Sequence, residues 1–253
     1  MAITIGVVTP ASTTTGPSRD GDGALVVPLP ASWAAGQVAI LMVYHDAGTG
    51  DTPTGWNEVT GSPFGSGPFL QVWWRTLVAG DGDPSTTCSG TSAGQVHGGG
   101  IATFNGAHTT APIEAVGTAT TGTGTPNTAL AVTTVTDGAW ALGLAGRGDN
   151  EAYSNESFGG STTGVVEQLD CGSATSGDYM TCIYTKEITT GGTSSGAGSA
   201  DCAVTDPYVS VILILAVASS VSASLSASAS ISPSVSASLS ASASLSPSES
   251  ASL

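Results

Sequence analysis

Three histidines, His45, His97 and His108, are the first residues to weigh for chemistry in this 253-residue chain. None lies at a metal-ligand spacing from another histidine or from a cysteine, and there is no Cys-x-x-Cys pair. The spacing therefore points to no metal and no cofactor. Asp20-x-Asp22 and Asp81-x-Asp83 have the carboxylate density that calcium favours. Both sit in Gly-rich turns, where Asp is expected for backbone capping, and neither continues into a full EF-hand loop. Serine is abundant, but no Gly-x-Ser-x-Gly elbow stands between a strand and a helix with a matched His–Asp set. Glu58, Glu114, Asp149, Glu151 and Glu156 could meet in space as a carboxylate pair for sugar hydrolysis. Solvated acids on an acidic surface are the expected alternative, and the chain reads as non-enzymatic.

Trp73 and Arg75 are the candidate ligand-binding residues. They share the less apolar face of one strand, and an aromatic ring beside a guanidinium suits a sugar or protein contact. The competing arrangement, favoured on balance, buries both faces of that strand. The cysteines are Cys88, Cys171, Cys182 and Cys202. They form either buried thiols, the preferred reading, or two disulfides whose pairing sequence alone cannot choose.

These residues must be positioned by strands. Gly, Ser, Thr and other β-branched residues dominate and only 9% of the chain is charged, which is poor helix material. Strands are expected at 3–8, 25–30, 37–45, 69–78, 96–104, 164–169, 179–186 and 208–217. The nearly all-apolar run at 37–45 should lie mid-sheet, and Pro28 marks an edge strand. In the strand at 69–78, alternation puts Leu70, Val72 and Trp74 on the cleaner core face. Gly98-Gly99-Gly100 suggests a bulge or close approach of another backbone. Thr136-Asp137-Gly138 reads as a hairpin turn between 129–135 and 139–145. The fold class is all-β: an antiparallel β-sandwich, jelly-roll-like, spanning residues 1–218.

Four Lys and Arg against nineteen acids give a net charge of −15. Such a surface repels phosphate backbones and anionic bilayers, so neither nucleic acid nor membrane is an expected partner. The first six residues lack the basic and apolar regions of a signal peptide. The apolar run near Leu213 is shorter than the roughly 20 residues of a spanning helix. Synthesis in the cytoplasm without a helical anchor is the expectation.

The order of motifs is distinctive: Thr54-Gly55-Trp56, Val72-Trp73-Trp74-Arg75, Ala102-Thr103-Phe104-Asn105-Gly106, Ala111-Pro112-Ile113-Glu114, Thr136-Asp137-Gly138 and Asp206-Pro207-Tyr208-Val209. This order resembles a group of β-sandwich domains encoded by tailed bacteriophages. The resemblance covers about residues 1–218, with Trp74 where the group prefers Tyr. It implies a virion-associated structural or adhesion protein of a tail, fibre or surface decoration, and carries over no catalytic residue. The partners it implies are further copies of the chain, other virion proteins and a host-surface glycan. An exported bacterial surface protein with a glycan-binding head is the alternative, placing the chain outside or on the cell.

Residues 219–253 are low-complexity. A fourteen-residue unit, Val221–Ser234, repeats as Val235–Ser248, and a third copy begins at Glu249. Every second residue is Ser, and Pro233 and Pro247 recur in register. Proline at that interval disfavours a helix, and the few large apolar groups disfavour an independent core. An extended stalk or linker is expected, flexible in a monomer and laterally paired in an assembly.

Overall fold

The computed structural model describes residues 4–9, 18–90, 95–134, 136–149, 151–173 and 178–218. The chain divides into two units, Met1–Ser220 and Val221–Leu253. The second holds the repeat, so the expected stalk lies outside the described residues.

The described residues contain no helix and nineteen strands. In chain order these are β1 (Thr4–Thr9), β2 (Ser18–Asp20), β3 (Gly23–Val26), β4 (Val38–His45), β5 (Thr49–Gly50), β6 (Asn57–Glu58), β7 (Phe64–Gly65), β8 (Phe69–Thr76), β9 (Ser85–Ser89) and β10 (Val96–Asn105). There follow β11 (Ile113–Val116), β12 (Thr120–Gly124), β13 (Asn127–Ala129), β14 (Ala139–Arg147), β15 (Ser154–Phe158), β16 (Val165–Ser173), β17 (Tyr179–Ile188), β18 (Gly198–Asp201) and β19 (Asp206–Leu215). Every pairing is antiparallel.

A seven-stranded sheet runs β1-β10-β4-β8-β6, with β2 on β10 and β7 on β8. A six-stranded sheet runs β11-β19-β14-β17-β16, with β12 on β19. Two three-stranded sheets, β3-β9-β5 and β13-β18-β15, complete the set. Alternation along the strands explains how they stack. Val38, Ile40, Met42 and Tyr44 of β4 share one core with Val209, Val211, Leu213 and Leu215 of β19. The intervening Ala39, Leu41 and Val43 enter a second core with Leu25, Val27 and Cys88 of the β3-β9-β5 region. Ile212 and Ile214 of β19 enter a third with Ala129, Phe158 and Ala200 of the β13-β18-β15 region. The long apolar runs at β4 and β19 are thus covered on both faces, which is why period-two patterning vanishes there.

Two local expectations are corrected. The segments flanking Thr136-Asp137-Gly138 do not form a hairpin: β13 pairs with β18, whereas β14 pairs with β17 and β19. The turn itself forms, with Gly138 at φ 72° and Asp137 Oδ1 accepting from the Gly191 amide. It connects strands of different sheets because each flanking run has a better-matched partner elsewhere. Nor does Gly98-Gly99-Gly100 make a bulge, since β10 stays in register with β4 from His97 to Phe104. The alternative, close approach of another backbone, is found at Gly99, where a Cβ would lie 1.9 Å from the Met42 carbonyl oxygen. A Cβ on Gly98 would meet the Tyr179 ring at 2.1 Å, and one on Gly100 would meet Leu169 at 2.6 Å. Gly98 and Gly100 are slots for side chains of the six-stranded sheet.

Candidate functional site

The strand that carries the expected recognition pair is β8. Trp73 is fully buried in the second core, with its Nε1 donating to Thr52 Oγ1 at 3.2 Å. It therefore cannot form an exposed patch, which corrects the expectation placed on it. The small sheet β3-β9-β5 and its flanking loops cover that face of β8, so the arrangement with both faces buried is the one found. Arg75, on the same face, is part-exposed and tied to Asp81 by a bidentate ion pair. Its Nη1 also donates to the Thr54 carbonyl at 3.1 Å. The guanidinium braces the loops at 54 and 81, and its charge is already neutralised.

The neighbouring residue, Trp74, is the aromatic that reaches a surface cleft. It sits at the margin of the central core, half-buried, where the edges of the two large sheets meet. The cleft has a volume of about 370 Å³ and is lined by Trp74, Glu58 and Thr60 on one side and by Pro112, Ile113 and Glu114 on the other. An adjoining groove of about 560 Å³ continues past Phe64 and Ser66 to Thr121, sharing Thr60 and Val116.

Both carboxylates of the cleft are held in place. Glu58 Oε1 accepts from Ser62 Oγ at 2.9 Å and from Gln71 Nε2 at 3.2 Å. Glu114 accepts from the Thr136 amide through both oxygens at 3.2 Å. Of the five acids considered in sequence for a carboxylate pair, Glu58 and Glu114 are the two that line this cleft. An indole between fixed acceptors can stack on the apolar face of a pyranose while the carboxylates take its hydroxyls.

All four cysteines are buried thiols outside any disulfide, as in the preferred reading. Cys171 lies in the central core, 3.0 Å from Thr181 Oγ1, and burial pushes its thiol up to about 12. Cys182 and Cys202 belong to the third core. There Arg147, fully buried, pairs with Asp149 and donates to Asn127 Oδ1 at 3.4 Å and to the Val204 carbonyl. Asp149 is raised above the ordinary carboxylate value by burial, against the pull of Arg147 and the Glu151 amide.

The histidines do not all stand alone, as the spacing had suggested. His45 and His97 face each other across the β4–β10 ladder, with Nδ1 atoms 2.5 Å apart and rings edge-on at 70°. Cys88 descends on the pair from β9, so one ligand atom from each of the three residues lies within 4.8 Å of the others. All three are buried. Burial, then the His97 ring, lower the His45 pKa to about 3, so the imidazole is neutral. Sequence spacing missed this group because its members come from three strands. His45 in register with His97, and the inward phase of Cys88, were the only available signals. His108 is elsewhere, accepting from the Ala111 amide at 3.1 Å.

Comparison of the chain with protein-family models, with curated proteins and with solved structures returned no match.

Proposed function

We propose that the protein is a non-enzymatic structural and adhesion component of a phage particle, whose head is a jelly-roll-like β-sandwich that binds a host-surface glycan in the Trp74 cleft. The observation that carries the glycan reading is the half-buried Trp74 between two anchored carboxylates, Glu58 and Glu114. Two of the sequence motifs behind the phage resemblance, Val72-Trp73-Trp74-Arg75 and Ala111-Pro112-Ile113-Glu114, contribute residues to that cleft. A shared core between the two large sheets supports the sandwich description. The Ser-rich repeat of residues 219–253 fits the same reading as a low-complexity segment that follows the head in sequence.

Electrostatics favour a neutral or cationic sugar over an anionic one. Two of the four cations, Arg75 and Arg147, are neutralised in ion pairs, and the cleft offers two carboxylates. Both carboxylates are fixed in position by the hydrogen bonds they accept, which suits them as acceptors for sugar hydroxyls.

The test has two arms. Purified chain is titrated with host surface polysaccharides, alongside Trp74→Ala and Glu58→Gln. Binding weakened about tenfold or more in Trp74→Ala, equivalent to about 1.4 kcal/mol, is expected. Undiminished binding in that variant would count against the cleft. Independently, mass spectrometry of purified, nuclease-treated tail-bearing particles should detect the chain, and its absence there would remove the phage assignment.

A further inference from the structure

We propose that His45, His97 and Cys88 form a zinc site that fastens the β3-β9-β5 sheet to the seven-stranded sheet. The chain has three histidines and four cysteines, and two of the first and one of the second converge at a single buried point. Each ligand comes from a different strand: His45 from β4, His97 from β10 and Cys88 from β9. Val43, Leu41, Ile101 and Trp73 belong to the same core, with the buried Gln71 the polar neighbour of His45.

A second observation points the same way. His45 Nε2 is fully buried and has no hydrogen-bond partner among the described residues. Gln71 is close enough to act on the ring as a side-chain hydrogen-bond partner, opposing the effect of burial, yet Nε2 is left without a bond of good distance and angle. A buried polar atom left unpaired costs about 1–3 kcal/mol, so a cluster held only by hydrogen bonds would waste part of its burial. A metal ion gives such a nitrogen an acceptor for its lone pair.

The ligand set selects the ion. Two imidazoles and one thiolate suit a borderline-soft cation such as Zn²⁺, not Ca²⁺ or Mg²⁺, which need oxygen ligands. Ligand atoms on tetrahedral zinc lie roughly 3.3–3.6 Å apart, from Zn–N of about 2.0 Å and Zn–S of about 2.3 Å. The three ligand atoms already lie within 4.8 Å of one another, near that spacing. Binding displaces the Cys88 thiol proton to solvent and forms one Zn–S and two Zn–N bonds, with no change of oxidation state. The fourth position falls to a water, since the Gln71 carboxamide is already engaged by Gly50 and Glu58.

The site explains a weak point of the fold. β5 has two residues and β3 has four, so the small sheet has little ladder of its own. Cys88 sits at its centre, in register with Gly23 of β3 and Gly50 of β5. One bond from Cys88 to a metal held by β4 and β10 pins all three strands.

The experiment uses the full chain, produced in zinc-supplemented medium and, separately, in cobalt-supplemented medium, because a buried site loads during folding. Bound metal is counted after gel filtration. One zinc per chain is expected, with a sulfur-to-cobalt charge-transfer band in the near-ultraviolet of the cobalt form. Cys88→Ser should abolish the band and reduce retained metal at least tenfold, whereas Cys171→Ser should keep both. X-ray absorption at the zinc edge of the unmutated chain needs no variant to fold. It should give one sulfur at about 2.3 Å and two imidazole nitrogens at about 2.0 Å. Metal-free protein, an oxygen-only shell, or a band that survives Cys88→Ser would overturn the proposal.

Discussion

Gly98→Ala is a sharp probe of how the two large sheets meet. The new Cβ would lie 2.1 Å from Tyr179 Cζ and 2.2 Å from Cε1, where ordinary contact begins near 3.4 Å. The ring or the strand must therefore retreat by more than 1 Å. Tyr179 is fully buried, so the ring has no solvent to move into. At Gly98, β10 is held in register by Tyr44 of β4 on one side and Ser18 of β2 on the other, so the backbone has little freedom either. Overpacking of this kind costs about 1–3 kcal/mol, and the size of the overlap places Gly98→Ala at the upper end. Gly82→Ala is the control, since a Cβ there meets nothing within 4 Å, and it should stay within about 0.5 kcal/mol. Urea unfolding followed by tryptophan fluorescence gives both values. The decisive comparison is a double-mutant cycle with Tyr179→Leu, which removes the clashing ring atoms. Gly98→Ala should then cost at least 1 kcal/mol less than it does in the parent. Equal costs in the two backgrounds, or a neutral single variant, would refute the slot between the sheets.

Three further outcomes are expected. Asp170 is pushed up to about 7, first by burial and then by Glu167, with Glu156 adding and the Tyr153 amide opposing. Its folded value exceeds its unfolded value, so its stabilisation is complete below about pH 4 and is lost as pH rises through 7. Denaturation curves between pH 5 and 8 should fall less steeply with pH in Asp170→Asn than in the parent, by up to about 1.4 kcal/mol per pH unit. A steeper fall would reverse the assignment. Arg147→Met should destabilise by about 3–5 kcal/mol by leaving Asp149 buried without its cation, and Arg147→Met/Asp149→Asn should recover part of that loss. A double variant less stable than the single one would contradict this. A thiol reagent should find no fast-reacting cysteine in the native chain and four after denaturation, because Cys88, Cys171, Cys182 and Cys202 are all buried thiols outside any disulfide. Fewer than four in the denatured, unreduced chain would indicate a disulfide.

Much of the strand layout is readable from residue order. The apolar runs at β4 and β19 and the paired segments of β16 and β17 fall where their patterning puts them. Pro28 does mark an edge: β3 stops at Val26 and pairs only with β9. What alternation cannot supply is which face lies under which sheet. On β8, Trp74 shares a parity with the core residues Leu70 and Val72, and Trp73 shares one with Gln71 and Arg75. With a single covering sheet, Trp73 would have been the exposed ring. The additional sheet β3-β9-β5 buries it, while the margin of the central core leaves Trp74 half-open. Glu58 and Glu114 are legible as acids but not as neighbours, since 56 residues and several sheet crossings separate them. The His45–His97–Cys88 group was hidden for the same reason. Its members meet only through strand register and sheet stacking, neither of which leaves a local motif.

The central claim is recognition of a glycan at Trp74, and nuclear magnetic resonance of the indole N–H groups tests it most directly. The chain has five tryptophans, so five indole signals can be assigned by single substitution. On titration with the host polysaccharide, the Trp74 signal should shift saturably while that of the buried Trp73 stays fixed. A Trp74 signal that stays fixed while the chain demonstrably binds, or a larger shift at Trp73, would contradict the account.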